Sequence, residues 1–321
     1  GGGRATAMDG YECLRMLGRG SFGVAHLVCR SEDGVLLVMK EIDLSGMQAG
    51  LRRAAQTEAE VLRSLCHVNI VSHTETFLSD SRLYIVMEFA DGGDLSAALA
   101  ARRTSGERFS EPGAMSILAQ ICAGLQHCHE RHVLHRDIKP SNIFLTSQGV
   151  VKLGDYGIAK VLEHTTAKAA TIIGTPMYSS PEVCNNMPYG LKADVWSAGV
   201  VLYELLSLEL PFQGANLVVL VMRIISEEPR PLPDCSPEAR AVVGRALSKR
   251  PEDRPTSGEL LALPALSRGA RRGAEKLERT SLAPPRQLPP CAPTLSAAEA
   301  VDEILGLLEQ GARRGAGAAE A

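Results

Sequence analysis

The apolar period of this chain changes at Gly92-Gly93, and that change constrains the fold more than any other feature. From Tyr11 to Phe89 apolar residues come in short alternating stretches, around Leu17, Val24 to Cys29, Val35 to Ile42 and Leu83 to Phe89. Alternation of this kind marks half-buried strands. One segment, Leu51 to Cys66, interrupts them with Ala54, Val61, Leu62 and Leu65 at helical spacing. Beyond Gly93 the period is helical. Long helices are expected over Ala114 to His132 and Ala193 to Leu208, and shorter ones over Asn216 to Ser226 and Pro237 to Leu247. A β-rich part followed by an α-rich part predicts an α+β chain of two lobes. A cleft between such lobes is a natural ligand site.

Composition narrows the function classes. A net charge of -3 gives no global field for nucleic acid or an anionic membrane, so neither partner is expected. The longest apolar stretch, Leu217 to Ile225, is too short to span a bilayer, and no secretory signal opens the chain. Gly1-Gly2-Gly3 lacks an initiator Met, which leaves room for a missing extension. The eight cysteines form no CxxC pair and read as small buried hydrophobes in a reducing compartment, not as disulfides or a zinc site. Residues 1–10 are expected to be a flexible start, residues 11–266 the folded domain, and residues 267–295 a basic, proline-rich linker. Ser296 and Glu299 form a capping-box pattern, and Ala297, Val301, Ile304, Leu305 and Leu308 make one apolar stripe. The resulting short helix, 296–310, docks on its own domain or is loosely ordered, or else binds a partner, with 311–321 a disordered end.

Five motifs carry chemistry. Gly18-Arg19-Gly20-Ser21-Phe22-Gly23 is followed by Val24-Ala25-His26-Leu27-Val28, which is strand-like, so the glycines make a hairpin flap and not the helix-opening loop of a dinucleotide site. With Gly18, Gly20 and Gly23 lacking side chains, backbone N–H groups can approach phosphates. Lys40 lies on a predicted buried strand and needs a partner. The apolar Val61/Leu62 face of the next helix selects Glu58 over Glu60, and the pair would hold an ammonium against the α- and β-phosphates of ATP. The run His135-Arg136-Asp137-Ile138-Lys139-Pro140-Ser141-Asn142 is the most specific. There Asp137 can orient an attacking hydroxyl, Lys139 can neutralise a transferring phosphoryl group, and Asn142 can give an oxygen to Mg²⁺. Asp155, in Asp155-Tyr156-Gly157, is a second metal ligand. Gly174-Thr175-Pro176 to Ser180-Pro181-Glu182 closes a Thr-rich loop that contains Thr165, Thr166 and Thr171. In support, Asp194 opens an apolar helix, where it would need backbone N–H partners, and Arg254 is expected to pair with Glu182.

These residues, in this order, resemble the eukaryotic protein kinases from about Tyr11 to Leu266. Lys40-Glu41-Ile42-Asp43-Leu44, Leu83-Tyr84-Ile85-Val86-Met87-Glu88 and Asn142-Ile143-Phe144-Leu145-Thr146 are most similar to the NIMA-related branch. The resemblance implies the two-lobed kinase fold, with a small β-rich lobe carrying one regulatory helix and a larger helical lobe. It implies an ATP- and Mg²⁺-dependent serine/threonine kinase acting on proteins. Met87 then is the gatekeeper, Glu88 to Ala90 the hinge, and Leu17, Ala25, Val38 and Phe144 enclose the adenine. Thr171 resembles an activation-loop phosphosite, which Arg136 would receive, and Thr175 is a second candidate. The absent signals and the free thiols point to a cytoplasmic protein, with the nucleus or the cytoskeleton and centrosome as further sites by family association alone. Oligomeric state is left open.

The resemblance has departures. Ala25 stands for the usual Val, Val68 for Pro, Tyr156 for Phe, and His73 for a larger apolar residue. They motivate a rival reading, a binding pseudokinase. A third reading, a dinucleotide enzyme based on the glycine loop alone, explains nothing after Lys40.

Overall fold

A computed structural model describes residues 10–20, 23–45, 63–155, 176–232 and 234–267. The expected linker, the C-terminal helix over 296–310 and nearly all of the helix over Leu51 to Cys66 lie outside the described residues. Among the described residues the chain divides at Gly92/Gly93 into two compact units, with His67–Ile70 belonging to the second.

The first unit is a five-stranded antiparallel sheet: β1 (Tyr11–Gly20), β2 (Gly23–Arg30), β3 (Leu36–Asp43), β4 (His73–Ser79) and β5 (Arg82–Glu88). Its spatial order is β1-β2-β3-β5-β4. Alternation puts Val28, Leu37, Met39, Tyr84 and Val86 into one apolar cluster, which leaves the residues between them for the other face. The β4–β5 hairpin turns through Asp80 and Ser81, both at positive φ (46° and 62°), as a primed two-residue turn needs. β4 was not expected. Its sequence, HTETFLS, is mostly polar, and none of its residues is fully buried.

The second unit is helical. It contains α1 (Leu95–Ser105), α2 (Glu111–His129), the two-stranded sheet of β6 (Ile143–Leu145) and β7 (Val151–Leu153), α3 (Pro181–Cys184), α4 (Leu191–Ser207), α5 (Leu217–Ser226), α6 (Pro237–Ala246) and α7 (Ser257–Leu261). Every residue of α4 from Ala193 to Leu206 is buried, so this helix is the axis of the core rather than an amphipathic surface helix. α2 packs on α4 and α7, and α6 packs on α4. Ser110, Asn216, Ser236 and Thr256 cap α2, α5, α6 and α7 through their side-chain oxygens. Asn69 ties His67–Ile70 into this unit, its amide donating to the Val151 carbonyl at 2.9 Å. No helix among the described residues is long and apolar enough to cross a membrane.

Candidate active site

The loop His135–Asn142 is held by one buried carboxylate. Asp194, in the first turn of α4, is fully buried. Its Oδ1 accepts from the Arg136 N–H (2.9 Å) and the Tyr189 hydroxyl (2.7 Å). Its Oδ2 accepts from the His135 N–H (3.0 Å) and lies 2.9 Å from His129 Nε2. Burial alone would raise this carboxyl's pKa, but the donors outweigh it and hold the group below its ordinary value. Burial and the same carboxylate push the Tyr189 phenol far upward. Arg136 sits at φ 66°, a left-handed conformation that is costly for a residue carrying a Cβ without a compensating bond. Asp194 supplies that bond. His135 is fully buried, which lowers its pKa, and its Nδ1 faces the Asp137 N–H at 3.4 Å.

Asp137, Lys139 and Asn142 meet at the end of this loop. The Asn142 amide donates to the Asp137 carbonyl (2.8 Å) and to Asp137 Oδ2 (2.7 Å). Lys139 Nζ lies 2.8 Å from the same Oδ2. With its nitrogen spent on Asp137, Asn142 has an oriented amide oxygen, 3.5 Å from the Ser141 hydroxyl. Register then brings Asp155 near. Ile143 pairs with Leu153, and one step further the Gly154 N–H donates to the Asn142 carbonyl at 3.1 Å. Asp155 follows, at φ 51°. No group of three or more His, Cys, Asp or Glu able to hold a metal occurs among the described residues. An amide oxygen with one neighbouring carboxylate nevertheless fits Mg²⁺, a hard ion that keeps waters and relies on substrate phosphates for the rest of its shell.

In the β-rich unit, register places Ala25 opposite Lys40 and Val38 opposite Met87. Val38 and Lys40 are two apart, so all four share one face, away from the Met39 cluster. Gly18 pairs with Ala25, and Gly20 with Gly23 at the hairpin end. Gly23 is obligatory, because a Cβ there would lie 1.8 Å from the Glu41 carbonyl oxygen. Leu17 falls at a register irregularity between Met16 and Gly18 and is part-exposed. The Glu88 N–H donates to the Ser72 carbonyl at 2.9 Å, and Ala90 is buried. His73 Nε2 lies 2.7 Å from the Thr76 hydroxyl, so this polar ring finds a partner within its own strand. In the helical unit, Phe144 pairs with Lys152 and forms a bridge with Asp94. Glu58, Tyr156, Gly157, Thr171 and Thr175 lie outside the described residues.

The expected Glu182–Arg254 pair is formed and bidentate, with contacts of 2.8 and 3.1 Å. Arg254 is 1% exposed, lies over the Trp196 ring and also donates to the Lys192 and Ser248 carbonyls. Burial opposes the Glu182 charge, and Arg254 overcomes it, leaving the carboxyl below its usual value. Sequence reasoning found Asp194 but missed His129 and Tyr189 as its partners. It also missed Glu204, whose only signal was a second carboxylate, after Asp194, in a largely apolar helix.

A family model described as Protein kinase domain matches residues 11–266. The chain belongs to the protein kinase domain family. The kinase domain has an antiparallel-sheet lobe and a helical lobe, as that fold requires. It is 44% identical over 255 residues to the mouse (Mus musculus) serine/threonine-protein kinase Nek1, covering 79% of this chain and 21% of the relative. It is 42% identical over 261 residues to human (Homo sapiens) Nek5, covering 81% and 37%. It is 42% identical over 257 residues to zebrafish (Danio rerio) Nek8, covering 79% and 36%. The chain therefore spans well under half the length of these relatives.

Proposed function

We propose that this domain is an ATP-dependent protein serine/threonine kinase of the NIMA-related type, moving the γ-phosphoryl group of ATP to serine and threonine hydroxyls of proteins. One observation carries the reading. Asp137 is aimed by the Asn142 amide and the Lys139 ammonium on a loop that Asp194 pins to the core. A carboxylate positioned in this way accepts a hydrogen bond from an incoming hydroxyl and directs its oxygen toward phosphorus. The hydroxyl's proton leaves toward that carboxylate as the O–P bond forms and the bond to the ADP leaving group breaks. Lys139 balances the charge on Asp137 and on the transferring group.

Asn142 and Asp155 are the residues for Mg²⁺. The ion, when bound, neutralises the charge on the phosphate oxygens. Lys40, with Glu58 as partner, is assigned to the α- and β-phosphates, and the backbone at Gly18, Gly20 and Gly23 to the phosphate chain. Leu17, Ala25, Val38, Met87 and Phe144 are assigned to adenine packing, and Glu88 with Ala90 to its hydrogen bonds. Phosphorylation of Thr171 or Thr175 is proposed as the activating event. Protein substrates and a partner for the 296–310 segment belong to the same proposal, as does a cytoplasmic location with nuclear or centrosomal association.

Incubation with Mg²⁺, ATP and a generic protein substrate, followed by mass-spectrometric mapping, should give phosphoserine and phosphothreonine that vanish when EDTA removes the metal. Retention of ATP binding with no transfer to any protein would favour the pseudokinase reading instead.

A further inference from the structure

Helix α5 is apolar nearly all round, yet it lies at the surface. Eight of its ten residues, LVVLVMRIIS, are apolar. Leu220 and Ile224 are buried and anchor the helix to the core. Val218 is 71% and Met222 57% exposed, and Leu217 is exposed as well. Val221 and Ile225 are only partly covered by the core. At about 100° per residue these five side chains form one strip about 140° wide. α3 packs on α5, and Met187, three residues past α3, is also exposed. A surface helix normally turns polar residues outward, and a contiguous exposed apolar strip marks a binding surface.

The chain itself carries a matching strip. The segment 296–310, outside the described residues, has Ala297, Val301, Ile304, Leu305 and Leu308 at helical spacing. As a helix its 15 residues would be about 22 Å long, enough to cover the ~15 Å of α5. Charge allows the match. The segment holds Glu299, Asp302, Glu303 and Glu309 and no basic residue. The one charge within α5 is Arg223, on a flank outside the strip, with Glu227 3.5 Å from it just past the helix end. The tether also allows it. Ser267 belongs to the same compact unit as α5. The 28 residues between Ser267 and Ser296 can span up to ~90 Å, whereas a unit of this size has a radius of gyration of about 16 Å.

We propose that the exposed strip of α5 is the docking surface for residues 296–310 of the same chain, which lay their apolar stripe along it. The proposal names a partner for that segment and rests on reading it as a binding helix, not on phosphotransfer. Laying an amphipathic helix against an apolar face is a recurring mode of recognition. Covalent connection favours this occupant over a second copy, because the tether holds the segment at an effective concentration of about 1 mM. A second copy at micromolar concentration would need an affinity orders of magnitude higher for equal occupancy. Docking withdraws Leu217, Val218 and Met222 from water, the term that drives it.

Methionine oxidation reads the strip directly. Met222 lies on it, and Met16, on β1 of the other unit, is 56% exposed, almost the same as Met222. Without an occupant on α5 the two should react with dilute hydrogen peroxide at like rates. Sulfoxide formation at each is followed by peptide mass spectrometry in the full chain and in its Ile304→Asp/Leu305→Asp variant, whose changes lie outside the folded domain. At an effective concentration of about 1 mM, an affinity of ~100 μM leaves about a tenth of the strip open, so Met222 should oxidise about tenfold more slowly than Met16. That ratio should not change on dilution, and the variant should bring Met222 back to the rate of Met16. Like rates in the parent would overturn the proposal, as would protection that survives in the variant. Protection that fades on dilution would overturn it in favour of a second copy. The assay uses no ATP, so a failure of the kinase reading leaves its outcome untouched.

Discussion

Asp194→Asn removes one charge and changes one atom, yet the geometry gives it a large expected effect. Each carboxylate oxygen accepts two hydrogen bonds, one from a backbone N–H and one from a side chain. Whichever way an asparagine turns, its NH₂ meets one of those pairs. The side-chain partner can adapt, since the Tyr189 hydroxyl rotates and His129 can switch tautomer against Ser257, 3.3 Å from its Nδ1. The backbone N–H of His135 or Arg136 cannot adapt. A buried donor left unpaired costs about 1–3 kcal/mol, and the remaining bonds lose their charge assistance, worth about 1 kcal/mol more. The total is about 3 kcal/mol, a large share of the ~5–15 kcal/mol that holds a domain together. For a domain of this size that lowers Tm by about 6–12 °C. Urea denaturation of parent and variant, read by the fluorescence of Trp196, measures it. The same substitution should lower phosphotransfer, because Arg136 at φ 66° is held by the lost acceptor. A variant within about 1 kcal/mol of the parent would refute the claim that Asp194 organises this loop.

Other expectations follow from single contacts. Arg254→Met leaves the Glu182 carboxylate buried and unpaired and should cost about 3–5 kcal/mol by urea denaturation. Adding Glu182→Gln should recover part of it, and no recovery would contradict the pairing. Gly199→Ala puts a Cβ 2.7 Å from the Cβ of Ala246, so α4 and α6 must separate, at about 1–3 kcal/mol. A neutral result would mean that the two helices slide freely. Burial lowers the pKa of His67, His73, His127 and His135. The unfolded chain therefore takes up protons first as pH falls below about 6.5, and stability is lost in that window. Fully buried His135 alone can contribute up to about 1.4 kcal/mol per pH unit, and the three part-exposed rings less. Asp194 and Glu182 have depressed pKa values and keep their contributions until pH falls below about 4. Tm should thus fall between pH 7 and pH 5.5, and a flat profile would refute the burial argument.

Much of this was legible because it is local. Strands β1, β2, β3 and β5 announce themselves by alternation, and the period changes where the two units divide. The chemistry-bearing run from His135 to Asn142 is contiguous, so its residues could be named before their geometry was known. Glu182 and Arg254 are 72 residues apart, but each sits in a recognisable motif, and their pairing was readable. What escaped was either weakly patterned or assembled from distant positions. β4 is polar and part-exposed, and α1 buries only Leu95 and Leu99 in an alanine-rich run. Asp194 collects donors from residues 129, 135, 136 and 189, a convergence created by the packing of α2 on α4. Arg103 and Glu204 lie 101 residues apart, and no spacing rule connects them.

The role of Asp137 tests the account most directly. Initial rates of γ-phosphoryl transfer from Mg·ATP to a serine/threonine peptide should be measured for the parent and for Asp137→Ala, with ATP affinity measured alongside. The account predicts a fall in rate of at least about 10²-fold with nucleotide binding retained. Equal rates in the two proteins would contradict it.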